Sequence, residues 1–340
     1  MSTPVLCSPG FFKLPDLFDG WPLSRTINAL YKEVDSESQA WFLSLEPFDQ
    51  KLIAALIKCK FGLIAGLSYP NASREHLRTE YDMMYALWMF DDISDNQSAS
   101  DAQKGADLIM DILRNPYDPR PEGESALGFG NYSFWSRALP SASRSAAHRF
   151  VEEMQIWVDS VVQQATDRDH QITRTFDDFL LLRRQTGGVL PCFAMIGLGM
   201  DMPDSVVNHP AIVALTTHAV DMIILSNDIY SYNVEQARGD SHNLVIVAMI
   251  ERQLNLQGAM DYLGERYHQL RDAFFNQMND IPSWSPQIDA DIKEYTMEMG
   301  RWVTGNMYWS FESERYFGPH GLEVKEHRNV ILLPRQTLEN

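Results

Sequence analysis

The chain has 340 residues, 45% hydrophobic and 22% charged, the balance of a globular protein long enough to bury a large core. Its formal net charge of −18 sets it against nucleic acid and anionic membranes, because a phosphate polyanion is repelled. A phosphate-bearing substrate would therefore need local positive charge from metal ions and a few arginines. Cys7, Cys59 and Cys192 are odd in number and widely spaced, which excludes a disulfide framework or a paired zinc motif and predicts reduced thiols in a cytoplasmic protein.

From the N-terminus, Met1 to Pro15 lacks the basic-then-apolar pattern of a signal peptide. Apolar residues then recur three and four apart along most of the chain, with no run of alternating strand segments and no fixed-period repeat. This predicts an all-α single domain of ten or more helices spanning 1–340, with a core from about Phe12 to Gly318 and a tail over 319–340. Pro70-Asn71 punctuates the first strong helix, Ser73 can cap it, and Glu75 falls in its first turn.

Within that helix Leu77, Tyr81, Met84, Trp88, Asp91 and Asp95 are spaced four, three, four, three and four, so they form one stripe. The stripe is apolar and aromatic until its last two members, which are carboxylates, and Asp92 lies about 100° round the helix from Asp91. Burying such anions together is costly unless a cation joins them, and a cluster of hard oxygen donors suits Mg²⁺. The bland reading is an acidic helix end in solvent.

Asn115 to Ser133, with three prolines and three glycines, reads as a surface loop. Arg183-Arg184-Gln185-Thr186-Gly187-Gly188 sets two cations beside two glycines, which permit a helix break; alone it reads as an ordinary helix end. The apolar stretch Val189 to Met200 is too short to span a bilayer. Met202 to Pro210 is a break before a long helix to about Gln236. On that helix Asn227, Ser231 and Glu235 recur every four residues and continue the stripe of Thr217, Val220 and Ile224. An amide oxygen, a hydroxyl and a carboxylate make a hard-cation set. Residues eight apart are separated by about 12 Å along an ideal helix, so Glu235 must reach back to share an ion. Arg238 to Asn243 is a polar turn, Asp280 to Pro286 separates the last two long helices, and Gly318-Pro319 stops the final one. Trp302, Trp309 and Tyr316 recur every seven residues on that helix, with Arg315 beside Tyr316. Thr337 to Asn340 carries no lipidation motif.

Asp91-Asp92-xx-Asp95 followed by Asn227-Asp228-xx-Ser231-xxx-Glu235 resembles the two metal motifs of class I terpene synthases, especially the compact fungal sesquiterpene synthases. The resemblance implies Asp91 and Asp95 as metal ligands on one side, Asn227, Ser231 and Glu235 on the other, and a complement of three Mg²⁺ ions. It implies Arg183 as the arginine that senses the diphosphate, with Thr186 as linker and Gly187 as effector. The 44-residue spacing from Arg183 to Asn227 is slightly short for the family and leaves Arg184 as the alternative. Arg315-Tyr316 matches the family's diphosphate-binding pair, and Asp92 is expected to pair with Arg315.

The reaction so implied is ionisation of an isoprenoid diphosphate, with farnesyl diphosphate favoured over geranyl, followed by cyclisation of the cation. Trp88, Phe90, Trp309 and Tyr316 lie beside the motifs and are the expected aromatic wall for that cation. The rivals are a synthase giving an acyclic alcohol, a chain-elongating prenyltransferase, whose second motif would be aspartate-rich, and a catalytically dead binding protein. The motifs leave open the product and whether the protein is a monomer or a homodimer. No P-loop, Gly-x-Ser-x-Gly elbow or Cys-x-x-Cys pair is present, and the nine histidines are scattered.

Overall fold

In the computed structural model, residues 10–46, 50–170, 172, 174–240 and 242–335 are described. Cys7 and Thr337–Asn340 lie outside them. Among the described residues the chain forms fifteen α-helices: α1 Tyr31–Ser44, α2 Gln50–Cys59, α3 Phe61–Ser68, α4 Arg74–Ser94, α5 Ala99–Arg114, α6 Ala126–Ala138, α7 Arg144–His170 and α8 Phe176–Thr186. They continue with α9 Val189–Ile196, α10 Asp204–Val207, α11 Pro210–Arg238, α12 Leu244–Glu251, α13 Leu256–Met278, α14 Pro286–Glu312 and α15 Gly321–His327.

The helical fold is as expected, and its long members start where the chemistry says they should. Ser73 accepts a bond from the His76 backbone N–H at the head of α4. α11 opens with Pro210 in its first turn and ends at Gly239, whose φ of 88° closes the C-terminus. α11 is the one described helix long and apolar enough to cross a membrane, yet 67% of that window is buried inside the protein. It packs on α13 and α14, α14 packs on α3, and α4 packs on α1, α3 and α6. Gly305 permits the close approach of α14 to α3, since a Cβ there would lie 2.6 Å from Ser68 Oγ and 3.0 Å from the Ser68 amide nitrogen.

Four expectations need correction. The loop drawn over Asn115 to Ser133 ends at Ser125, which caps α6 through the Gly128 N–H. Gly128 and Gly130 lie inside a helix because tertiary packing outweighs their low propensity. The final long helix ends at Glu312, not Gly318, so Arg315 and Tyr316 lie beyond α14. Two strands exist: Phe11–Lys13 (β1) pairs antiparallel with Asn329–Ile331 (β2), with Phe12 opposite Val330, both buried. Three-residue strands are too short for alternation to show. The expected tail is thus folded through Arg335, with α15 against α14 and β2 on β1.

Candidate active site

The acidic end of α4 and the Asn/Ser/Glu end of α11 meet across two arginines. Arg183 Nη2 donates to Asp228 Oδ1 at 2.6 Å and to Asn227 Oδ1 at 3.3 Å, and Nη1 lies 3.4 Å from Thr186 Oγ1. Burial opposes its charge, but Asp228 holds its proton above the ordinary range, and the fields of Glu235 and Asp91 both reach it. Arg183 therefore stands between the two motif helices. The neighbouring Arg184 turns away and grips Asp221 with both arms, at 2.6 and 2.9 Å. The structure separates the two cations that the spacing left open.

The helix break predicted at the two glycines is present. α8 ends at Thr186, the Gly187 N–H bonds the Arg183 carbonyl at 2.9 Å, and Gly188 adopts φ 66° before α9 begins. That left-handed turn favours glycine, and the Trp157 indole nitrogen sits 3.4 Å from where a Cβ would stand.

Asp91 keeps some contact with solvent but is enclosed by protein. Burial, then the charges of Asp95 and Asp92, push its carboxyl up to about 7, against the pull of Arg315 and Arg183. Glu235 is likewise pushed up to about 7 by burial and by Asp228. Glu235 does reach back along the helix: Asn243 Nδ2 donates to Glu235 Oε2 at 2.9 Å, lies 3.4 Å from Ser231 Oγ, and bonds the Asp228 carbonyl at 2.8 Å. One amide therefore gathers two of the three expected ligands. The third, Asn227, is oriented by Tyr316, whose hydroxyl accepts from Asn227 Nδ2 at 2.8 Å.

Arg315 lies over the Trp88 ring at 4.2 Å, with Nη1 3.6 Å from Cys59 Sγ. Its charge pulls on Asp92, yet the expected Asp92–Arg315 pair is not formed; among the described residues Arg315 makes no ion pair within 4.0 Å. The end of α14 explains its placement. Ser313 leaves the helix with extended backbone, and the Glu314 N–H bonds the Lys58 carbonyl, which swings residues 315 and 316 back toward α11.

Trp88, Trp309 and Tyr316 come together with Phe61, which stacks on Trp88 at 4.4 Å. Phe90 does not join them. Two residues on from Trp88, it points to the other side of α4 and meets Trp157 at 5.5 Å, edge to face. Asp95 caps α4 in an exposed position.

Sequence reasoning missed three residues. Asn243 is fully buried and also caps α12 through the Val245 N–H; an Asn before an apolar run announces the cap but not the ligand contacts. Asp228, 1% exposed, anchors Arg183 and also accepts the Leu244 N–H. Arg168, at the end of α7, donates to the Ser94 and Gln97 carbonyls at 2.9 Å each and so caps the acidic end of α4.

The donors fit a divalent cation. Among the described residues no three His, Cys, Asp or Glu side chains form a ready-made cage. The candidate donors are instead oxygens divided between two helices, and the carboxyls there, raised by burial and then by neighbouring negative charge, are ones a hard cation would relieve. The donors also fit an anion. Arg183 Nε and Arg315 Nε are buried and, among the described residues, have no hydrogen-bond partner, so both cations hold directed donors in reserve.

Candidate oxygen donors on two helices, facing two arginines with unused donors inside an all-α bundle, make an arrangement that suits an anion together with a divalent metal. The chain belongs to the terpene synthase family: the family model "Terpene synthase family 2, C-terminal metal binding" matches residues 82–273. Sesquiterpene synthase 9 of Postia placenta is 41% identical over 335 residues, 98% of this chain and 97% of that protein. A delta(6)-protoilludene synthase of Stereum hirsutum is 42% identical over 328 residues, covering 96% and 89%. The fold matches that of germacradien-4-ol synthase from Streptomyces citricolor with a TM-score of 0.73 at 20% identity, over 85% of this chain and 96% of that one. The protein is accordingly a terpene synthase, a lyase acting on a small isoprenoid diphosphate, with a metal-binding domain.

Proposed function

We propose that the enzyme ionises farnesyl diphosphate with the help of three Mg²⁺ ions and cyclises the cation to a sesquiterpene, releasing diphosphate. Relatives named as sesquiterpene synthases that align over nearly the whole chain support the substrate size. The observation that carries the reading is the pair of buried arginines, each with an unused Nε donor, set between carboxylates that resist ionisation.

Asp91 and Asp95 would hold metal on the α4 side, and Asn227, Ser231 and Glu235 on the α11 side. Bound Mg²⁺ supplies positive charge that stabilises the departing diphosphate. Arg183 and Arg315 donate to its oxygens as charge develops on them, and the Tyr316 hydroxyl adds a further donor. Arg183 exchanges its bond to Asp228 for one to the substrate, which couples arrival of the anion to Thr186 and the Gly187 break. Trp88, Phe61 and Trp309 present ring faces to a cation and exclude the water that would trap it.

Incubation with farnesyl and, separately, geranyl diphosphate, followed by gas chromatography–mass spectrometry and a diphosphate assay, tests this. A cyclic fifteen-carbon hydrocarbon formed only with Mg²⁺ is expected. An acyclic alcohol, a longer diphosphate when isopentenyl diphosphate is added, or turnover that survives exhaustive chelation contradicts it.

A further inference from the structure

Glu80 is 1% exposed, forms no ion pair among the described residues, and leaves Oε2 without a hydrogen-bond partner there. It stands eleven residues before Asp91 on α4. Eleven residues are three turns plus about 20°, so Glu80 faces nearly the same way as Asp91, about 16 Å deeper in the bundle. An extended farnesyl chain held by its diphosphate at Asp91 spans a comparable distance.

The surroundings come from the same helices that build the mouth. The Tyr69 hydroxyl neighbours Glu80 and donates to the Cys192 carbonyl of α9 at 2.9 Å. Trp302 of α14, two turns below Trp309, meets the Tyr69 ring edge to face at 6.3 Å, and its indole N–H has no partner among the described residues. Glu80 is buried with no ion-pair partner among the described residues, and burial pushes its carboxyl well above the ordinary carboxylate range, which favours the neutral acid. A residue present only to brace helices would have both oxygens satisfied.

We propose that Glu80 is a specificity-determining residue, a neutral carboxyl whose free oxygen stabilises positive charge at the distal end of the substrate's hydrocarbon chain. This rests on the reading of the protein as a farnesyl diphosphate cyclase. A carboxylate in that place would capture the cation as an ester or strip its proton early. The neutral group offers a fixed dipole and no strong nucleophile. Mouth and floor then divide the work: the mouth sets the rate of ionisation, and the floor sets where the charge rests before the final proton is lost.

The test uses the full chain with Mg²⁺ and farnesyl diphosphate and reads diphosphate release and product distribution separately. In Glu80→Met the parental product should fall about tenfold relative to early-quenched hydrocarbons, with diphosphate release little changed. Glu80→Gln, neutral and of the same shape, should restore the parental product. If Glu80→Met does not fold, Glu80→Asp, which withdraws the oxygen by one methylene, should shift the products in the same direction. An unchanged distribution in Glu80→Met, or in Glu80→Asp where that variant stands in, overturns the proposal. So does loss of the parental product in Glu80→Gln as complete as in the apolar variant, because that would mean proton transfer. Absence of any Mg²⁺-dependent hydrocarbon from the wild type overturns the proposed function itself, and is distinguishable from both.

Discussion

The two ends of α4 treat buried carboxylates in opposite ways. Toward its start, Asp82 is wholly buried and fully met: Arg78 Nε binds both oxygens at 3.0 Å, Arg137 Nη1 sits 2.5 Å from Oδ2, and Ser38 donates as well. Toward its end, Asp91 forms no ion pair among the described residues, and burial with the charges of Asp95 and Asp92 pushes it up to about 7 against the pull of Arg315 and Arg183. Arginines repeat the contrast one residue apart, with Arg184 locked on Asp221 and Arg183 holding Nε in reserve. Satisfied buried charge belongs to the scaffold, whereas unsatisfied buried charge in a shared crevice marks where a ligand completes the electrostatics.

The largest effects should fall along that divide. Asp91→Asn or Asn227→Ala should lower Mg²⁺-dependent diphosphate release by at least about 10³-fold and leave the fold intact. Asp82→Asn should leave Arg78 and Arg137 short of a partner and lower stability by about 3 kcal/mol, measured by denaturant unfolding, with activity per folded molecule preserved. Next, Arg183→Gln should reduce kcat/KM about 10²-fold, whereas Arg184→Gln should mainly lower the melting temperature. Equal loss of activity in both arginine variants would erase the distinction. Asn243→Ala, which frees Ser231 and Glu235, should weaken Mg²⁺ binding by about 10- to 100-fold in a titration of rate against metal.

The smallest effect concerns pH. The folded Asp91 carboxyl lies near 7 and its ordinary value is 3.8. The cost of ionising it on folding is therefore absent in acid, grows as pH rises between those values, and is constant above about 7. Without metal, Asp91→Asn should melt higher than the wild type by a margin that widens across that window, reaching roughly 2–4 °C. Saturating Mg²⁺ and inorganic diphosphate should close the gap.

What the sequence made legible was local. The cap at Ser73, the break at Gly187 and Gly188, and the oxygen-bearing ends of α4 and α11 all depend on residues within a few turns of each other. What escaped was set by distant packing. Gly128 and Gly130 look like loop residues, but Asn131 and the neighbours of α6 keep them helical. The end of α14 at Glu312 depends on the Lys58 carbonyl, more than 250 residues away, so the position of Tyr316 was unreadable from its seven-residue spacing. Phe90 was assigned to the cavity by adjacency, and the helical period turned it toward Trp157. Asn243 was read as part of a turn because nothing local shows that one buried amide touches Asp228, Ser231 and Glu235 at once.

A crystal structure with Mg²⁺ and inorganic diphosphate tests convergence of the two patches most directly. The expected result is a diphosphate bound by Arg183 and Arg315, with one ion on Asp91, another on Asn227, Ser231 and Glu235, and the Arg183–Asp228 bond released. Diphosphate bound elsewhere, or a metal held by one helix without the anion touching either arginine, would contradict it.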